Sequence, residues 1–348
     1  MKAGGAFTLD EILSQTHAWQ DAWDVIARHD HMVDSIAPEV SGRRLLFTGC
    51  GSTYYLSLAA AAHLRALTGW CVQAAPASEV WLNPDAYIRP DDILIAISRS
   101  GSTTETLRAA DAFERATRRH PITIQCAPDA PLAQRAGLNI VTSRGAERSV
   151  VQTRSFTSMF VAAVALNARW ARRADLADAF RRLPQAGERV LQRARAVARD
   201  WGPRLEFDRL YFLGSGTRYG LACEASLKMK EMTLSHTEPF HFLEFRHGPK
   251  SMVNDTTLVV GLISDETAVH EVRILREAAA LGAQVYVLGE HAERIGAGPA
   301  VSFASGLAAE ARDVLYLPPL QLLAYERAMA KGLDPDRPRH LDAVVVMD

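Results

Sequence analysis

One supersecondary unit occurs twice in this chain. RRLLFTGCGSTYYL, from Arg43, aligns with DRLYFLGSGTRYGL, from Asp208, at a constant offset of 165. Gly49 then matches Gly214, Gly51 matches Gly216, Tyr54 matches Tyr219 and Leu56 matches Leu221. The next apolar run repeats as well: DDILIAISRSGST, from Asp91, aligns with DTTLVVGLISDET, from Asp255, at an offset of 164. Each copy reads as a buried strand, a glycine turn and a helix. Two such copies imply two similar α/β domains. Short apolar strands alternating with helices imply parallel sheets. Ligands of such sheets bind beyond the carboxyl ends of the strands. Both glycine turns and the segment Ser98–Thr103 belong at those ends.

Composition bounds the rest. The 348 residues suffice for two domains, and 48% are apolar, enough for two cores. A formal net charge of −1 argues against a general nucleic-acid or membrane surface, so an anionic ligand must be held by local groups. Cys50, Cys71, Cys126 and Cys223 form no C-x-x-C pair, which argues against a zinc or dithiol centre and fits a reducing compartment. The N-terminus lacks the apolar run of a signal peptide, and no stretch is long and apolar enough to span a bilayer. A cytoplasmic protein is expected.

In chain order, Leu9 to about Met32 is predicted as one amphipathic helix, with Ile12, Trp19, Trp23 and Ile26 on one side. Strands are expected at 44–48, 70–74, 92–97, 122–126 and 140–142, with helices at 53–67 and 104–118. Phe156 to Phe180 reads as one long helix and Pro184 to Trp201 as an arginine-rich helix with a solvated face. In the second copy, Leu210–Leu213 is a strand, Thr217 to Leu234 a helix, and Thr233 to Lys250 a loop. The expected division is an N-terminal helical segment (1–34), a phosphate-binding domain (35–180), a linker helix (181–202) and a second domain with the acid–base residues and C-terminal loop (203–348).

Ser98-Arg99-Ser100-Gly101-Ser102-Thr103 is the best candidate anion site. It leaves a strand and enters a helix, whose free N–H groups and positive end favour phosphate. Ser98, Ser100, Ser102 and Thr103 add hydroxyl donors, Gly101 permits close approach, and Ser52 and Thr53 stand at the equivalent place after the first strand. Plain N-capping uses the same residue types, but four hydroxyls around a glycine exceed what a cap needs. The second copy reads Leu262-Ile263-Ser264-Asp265-Glu266-Thr267, and its two carboxylates would repel phosphate. Tyr54 and Tyr219 replace the third glycine of G-x-G-x-x-G, and no G-x-x-x-x-G-K-[ST] occurs, so nucleotide sites are disfavoured.

The second copy carries different chemistry. Glu224, Lys228 and Glu231 share one helix face, beside an apolar stripe of Leu221, Ala225, Met229 and Met232. Such a row is either an exposed set of helical salt bridges or a proton-transfer site. The following loop gathers His236, His241, Glu244, Arg246, His247 and Lys250, groups that move protons or bind anions. The three histidines match no familiar metal-ligand spacing, and no metal is expected.

The ordered set GCGST, SRSGSTTET, QTRSFT, CEASLKMKE and EFRHGPKS resembles the sugar isomerase (SIS) family. The chain looks like the double-SIS phosphosugar proteins, namely the isomerase half of glucosamine-6-phosphate synthase and the stand-alone amino-sugar-phosphate deaminases, from about Arg43 onward. EFRHGPKS looks more like the deaminase type. The resemblance implies an α/β fold of two tandem SIS domains, each a parallel sheet flanked by helices in a flavodoxin-like three-layer sandwich. It further implies that Ser52, Thr53, Ser98, Ser100 and Thr103 bind the sugar phosphate and that Gln152 contacts the sugar. Glu231 matches the acid–base glutamate that moves a proton between C1 and C2, with Glu224 and Lys228 also at the sugar. His247 matches the ring-opening histidine, which the family donates from the neighbouring subunit, so a homodimer follows. The family often has a lysine where Ala343 stands, and here no lysine follows Lys331.

About forty residues precede the first strand and none is cysteine, so a glutamine-dependent synthase is not expected of this chain alone. The expected activity is deamination and isomerisation of glucosamine 6-phosphate to fructose 6-phosphate, without metal or redox cofactor. A fructosamine-6-phosphate deglycase or another aldose–ketose phosphosugar isomerase is the alternative within the class. A non-catalytic phosphosugar sensor is the alternative outside it. The N-terminal segment is too short and insufficiently basic for the DNA-binding domain of a regulator.

Overall fold

Two five-stranded, all-parallel sheets organise the computed structural model, which describes residues 4–345 and 347. The first contains β1 (Leu45–Gly49), β2 (Val72–Pro76), β3 (Ile93–Ser98), β4 (Ile122–Gln125) and β5 (Leu138–Val141), in the order β2-β1-β3-β4-β5. The second contains β6 (Arg209–Leu213), β7 (His236–Phe240), β8 (Thr257–Leu262), β9 (Gln284–Gly289) and β10 (Ala300–Ser302), in the order β10-β9-β8-β6-β7. Numbered within its own copy, each sheet has the flavodoxin-like order 2-1-3-4-5. The helices are α1 (Ala6–Arg28), α2 (Asp30–Ser41), α3 (Ser52–Thr68), α4 (Ala77–Leu82), α5 (Pro84–Tyr87), α6 (Thr104–Thr117), α7 (Arg154–Trp170), α8 (Ala177–Trp201), α9 (Thr217–Thr233), α10 (Ala268–Ala280), α11 (Ala309–Arg312) and α12 (Leu317–Ala330).

The chain forms two compact units. One comprises Ser14–Glu147, Gln152–Arg181 and the segment from Asp342, and holds the first sheet. The other comprises the segment through Leu13, Arg148–Val151 and Arg182–Leu341, and holds the second. Leu46, Leu94, Ala109 and Phe113 belong to the first unit's core; Phe245, Val259, Leu275 and Val287 belong to the second's. Each fully buried Leu, Val or Phe contributes about 1.5–3 kcal/mol.

The repeat holds at the level of single residues. Adding 165 to the bounds of α3, 52 and 68, gives those of α9, 217 and 233. Adding 164 to those of β3, 93 and 98, gives those of β8, 257 and 262. The glycine turns also match. Gly51 has φ +54° and Gly216 φ +58°, a left-handed backbone suited to glycine. A Cβ on Gly49 would lie 2.6 Å from Thr53 Oγ1, and one on Gly214 2.3 Å from the Arg218 carbonyl oxygen. Each strand can therefore run directly into its helix only with glycine at that point.

Three expectations are corrected. Leu9–Met32 is two helices, interrupted at His29 between α1 and α2. The run 156–180 is also broken: α7 ends at Trp170, Arg172 takes φ +56°, and the Arg173 N–H returns to the Ala168 carbonyl. That six-to-one closure ends the helix with arginine where glycine is usual, while the apolar pattern continues past it. Finally, the loop expected at 233–250 contains β7 at its start. Its sequence, HTEPF, does not read as a strand, but β7 is an edge strand, where proline and charge are tolerated.

Candidate functional site

The anion-binding candidate lies where β3 meets α6, in the first unit. The carbonyls of its loop are tied from behind: Cys126 N donates to Arg99 O at 3.2 Å and Leu132 N to Gly101 O at 3.0 Å. The serine hydroxyls accept from the loop itself, Ser98 Oγ from Gly101 N at 3.1 Å and Ser100 Oγ from Ser102 N at 3.2 Å. Accepting in this way leaves donation toward a ligand to their own O–H hydrogens. Thr103 is the N-cap residue of α6, with extended backbone and no side-chain cap bond; its Oγ1 is 3.5 Å from Ser98 Oγ. Gly101, at φ +63°, lies over β4, and a Cβ there would meet Gln125 Oε1 at 2.2 Å and Ala130 Cβ at 2.5 Å. Ser52 opens α3 and is buried. Thr53 is engaged differently, because its hydroxyl accepts from Cys50 N and donates to Cys50 O, both at 2.9 Å. It therefore closes the glycine turn.

Glu147, missed in the sequence, joins the anion loop to the segment bearing Gln152. Its buried carboxylate accepts from Thr153 N and Thr153 Oγ1, both at 2.7 Å, and from Ser155 Oγ. Arg99 Nη1 stands 3.7 Å away. Gln152 follows this arrangement, and its Oε1 is buried without a hydrogen-bond partner. The C-terminal segment reaches the same loop: Arg99 Nη2 donates to Ala343 O at 2.7 Å, Thr104 N to Val345 O at 3.4 Å, and Met347 N to Thr104 Oγ1 at 3.0 Å. Position 343, where the resemblance places a lysine, thus lies against the anion loop.

The groups read as acid–base residues belong to the second unit. Leu221, Ala225, Met229 and Met232 bury one side of α9. The adjacent row is buried too: Glu224 is 1% and Lys228 2% exposed. Lys228 Nζ lies 3.5 Å from Glu224 Oε1 and also pairs with Glu231, whose side chain is 18% exposed. The sequence allowed an exposed salt-bridge ladder; burial removes that explanation. Desolvating one ammonium and one carboxylate costs several kcal/mol per ion before pairing offsets it. Only Glu231 of the three retains substantial access to solvent.

His247 is exposed and follows a 3-10 turn, Glu244–Arg246, with its N–H donating to Glu244 O at 2.9 Å. Phe245, fully buried, plugs the loop into the core. Arg246 and Lys250, expected to bind anions or move protons, are instead paired with Glu277 of α10. His236 begins β7, and His241 stacks on Tyr219 with ring centroids 3.8 Å apart, burial pushing its pKa down. Among the described residues no cluster of His, Cys, Asp or Glu could hold a metal. Burial pushes the Cys50 thiol up to about 11 and the Cys126 and Cys223 thiols up to about 12, which disfavours reactive thiolates. A cavity of about 540 Å³ lined by Trp23, Ile26, Arg169, Arg172 and Phe180 contains none of the predicted site residues.

The second copy's counterpart of the anion loop is closed by its own side chain. Glu271, 1% exposed, accepts from Ser264 N at 2.7 Å, Ser264 Oγ at 3.1 Å and Thr267 Oγ1 at 2.8 Å. Asp265 pairs with Arg312 at 2.5 Å and Glu266 with Arg218 at 3.4 Å. The carboxylates that the sequence read as repelling phosphate are thus part of a local ionic network.

A pair of doubly wound domains, one with a hydroxyl-rich strand-to-helix loop and one with a buried Glu-Lys-Glu row, defines the class. The chain belongs to the SIS domain family, whose model matches residues 40–169 and 206–297. It is 28% identical over 360 residues to the glutamine–fructose-6-phosphate aminotransferase (isomerizing) of Pseudomonas aeruginosa, covering 98% of this chain and 59% of that protein. The chain spans little more than half the length of the curated relatives it matches, 59% and 53% for two of them. A glucosamine-6-phosphate deaminase structure from Thermotoga maritima superposes with a TM-score of 0.82 at 27% identity, covering 98% of this chain and 100% of that one. A tagatose-6-phosphate ketose/aldose isomerase from Escherichia coli shares the fold, with a TM-score of 0.86 at 24% identity and 95% coverage of both chains. Among the described residues no helix is long and apolar enough to cross a membrane.

Proposed function

We propose that the protein is an amino-sugar-phosphate deaminase–isomerase that converts glucosamine 6-phosphate and water to fructose 6-phosphate and ammonia. The observation that carries this reading is the burial of Lys228 between Glu224 and Glu231. Charged groups withdrawn from water on a rigid helix are expected where proton transfer is required. The hydroxyl-rich loop supports a phosphorylated substrate, and the relatives named above support a sugar phosphate.

In this reading Ser98, Ser100 and Thr103, with Ser52, hold the phosphate, and Gln152 contacts the sugar. Thr53 acts through the turn it closes. His247 opens the ring. Glu231 takes the proton from C2 of the open-chain aldehyde and returns it to C1, while O1 gains a proton and the amino nitrogen loses one, leaving an imine at C2. Water adds to that carbon and ammonia departs. Lys228 orients Glu231, and Glu224 pairs with the same ammonium. A homodimer in which His247 serves the partner subunit's site completes the reading.

The test is a panel of glucosamine, galactosamine, fructosamine and tagatose 6-phosphates, scored for ammonia and for solvent deuterium at C1 of the ketose product. Glucosamine 6-phosphate should release ammonia with deuterium uptake, and Glu231→Gln should reduce turnover by roughly 10²–10⁴-fold while retaining substrate binding. Ammonia from fructosamine 6-phosphate alone would make the protein a deglycase. Isomerisation without ammonia would make it a simple aldose–ketose isomerase. Binding without either product would make it a sensor.

A further inference from the structure

The exposed histidine of the EFRHGPK loop is held from both sides by one remote carboxylate. Arg246, immediately before His247, grips Glu277 with two nitrogens: Nε lies 3.0 Å from Oε2, and Nη2 bonds Oε1. Lys250, three residues after His247, places Nζ 3.0 Å from the same Oε2. Arg273, one turn earlier on α10, adds Nε at 3.3 Å from Oε1. Between the two anchors Gly248 takes φ +122°, and Ser251 N closes on Gly248 O at 2.9 Å. An ordinary surface ion pair joins two side chains and restrains little backbone. Here both ends of a five-residue span return to one carboxylate, and buried Phe245 adds a third fixed point. The loop loses most of its freedom to tilt, and His247 keeps one position.

We propose that Glu277 is a positioning residue that acts through His247, an inference that rests on the ring-opening role given to His247 above. Arg246 and Lys250 then serve as tethers, and neither is a substrate-binding cation. Glu277→Gln keeps the shape and removes the charge that gathers the two cations. A loop released in this way spends less time in the productive geometry, and turnover falls about tenfold, since small misplacements of a catalytic group are costly.

Three measurements decide it. Amide hydrogen exchange in the peptide 243–252 should rise in Glu277→Gln by at least about tenfold while the strands keep their protection. Unchanged exchange would overturn the inference whatever the reaction. The kcat for ammonia release should fall in Glu277→Gln, yet the same change in a His247→Ala background should alter the residual rate less than twofold. An equal loss in both backgrounds would overturn it, because Glu277 would then act elsewhere. Affinity for 2-amino-2-deoxyglucitol 6-phosphate, an open-chain analogue that needs no ring opening, should stay within twofold of the wild type; a large loss would make Glu277 part of the binding framework and overturn the inference. Loosened exchange with a fully active His247→Ala variant would reject the role assigned to His247, and the catalytic meaning of Glu277 with it.

Discussion

Gly101 offers the sharpest test of the candidate anion loop, because one added methyl group both strains its backbone and clashes with the residues behind it. Gly101→Ala places a Cβ 2.2 Å from Gln125 Oε1 and 2.5 Å from Ala130 Cβ, at φ +63°. The left-handed backbone costs roughly 1–2 kcal/mol for a non-glycine residue. The overpacking costs about 1–3 kcal/mol more, since Gln125 is fully buried and its Nε2 is held by Asn139 Oδ1 at 2.7 Å. The two costs sum to roughly 2–5 kcal/mol. In thermal unfolding, Gly101→Ala should therefore melt below the wild type by roughly 4–20 °C, at about 2–4 °C per kcal/mol. Relief of the clash must lift the loop, separating Gly101 N from Ser98 Oγ. Titration calorimetry with fructose 6-phosphate should then show affinity reduced at least about tenfold, a difference near 1.4 kcal/mol. A Gly101→Ala protein matching the wild type in both melting and affinity would refute the packing argument and the loop's assignment together.

Other outcomes follow from the same structure. The double change Ser98→Ala, Ser100→Ala removes two donors to a charged group, each worth roughly 1.5–3 kcal/mol, so calorimetric affinity for the sugar phosphate should fall at least tenfold; unchanged affinity would move the phosphate elsewhere. Mixing His247→Ala with Glu231→Gln protein should restore part of the activity once subunit exchange is verified by mass, because mixed dimers carry one site with both native groups; no recovery would place both residues in one subunit's site. Hydrogen bonds from Arg246, then Lys250, hold the Glu277 carboxyl at about 2, below its ordinary 4.5. Its contribution is fully present above pH 4.5 and is lost as pH falls through 2. The melting difference between wild type and Glu277→Gln should thus shrink across that window, and a difference independent of pH would show that charge is not what holds the loop.

Much of the architecture was legible because the repeat carries it. The glycine turns, the offset and the apolar runs imply two parallel sheets, and the bounds of α3 and α9 follow the same offset residue for residue. The repeat also contained the signal for β7. Its bounds, 236 and 240, are those of β2, 72 and 76, advanced by 164. Local composition hid this strand, since histidine, glutamate and proline in HTEPF override the pattern of a strand that only an edge position permits. The candidate site was legible where its residues lie close together in the chain. Ser98 to Thr103 lie on consecutive residues, and Glu224, Lys228 and Glu231 lie on one helix face. Burial of that row was not legible, because spacing sets direction and not depth. Glu147 and Glu277 were missed for a related reason. Glu277 lies 31 residues from Arg246, and such a pairing leaves no trace in periodicity or spacing.

The two copies also explain why only one loop is read as a phosphate site. α6 and α10 begin at 104 and 268, so their helices align at an offset of 164, and Leu107 corresponds to Glu271. In the first copy an apolar side chain stands at that position, and the β3–α6 loop has no anion of its own there. In the second copy a carboxylate occupies it and receives the Ser264 N–H together with the Ser264 and Thr267 hydroxyls. A buried carboxylate so placed meets the same requirement as a bound phosphate, namely negative charge at donors the helix start would otherwise leave unpaired. It is present in every copy of the folded chain, and a ligand would have to expel it. The duplicated loop is therefore structural, and the proposed reading assigns recognition of the anion to the first unit and the chemistry of the Glu224–Lys228–Glu231 row and the His247 loop to the second.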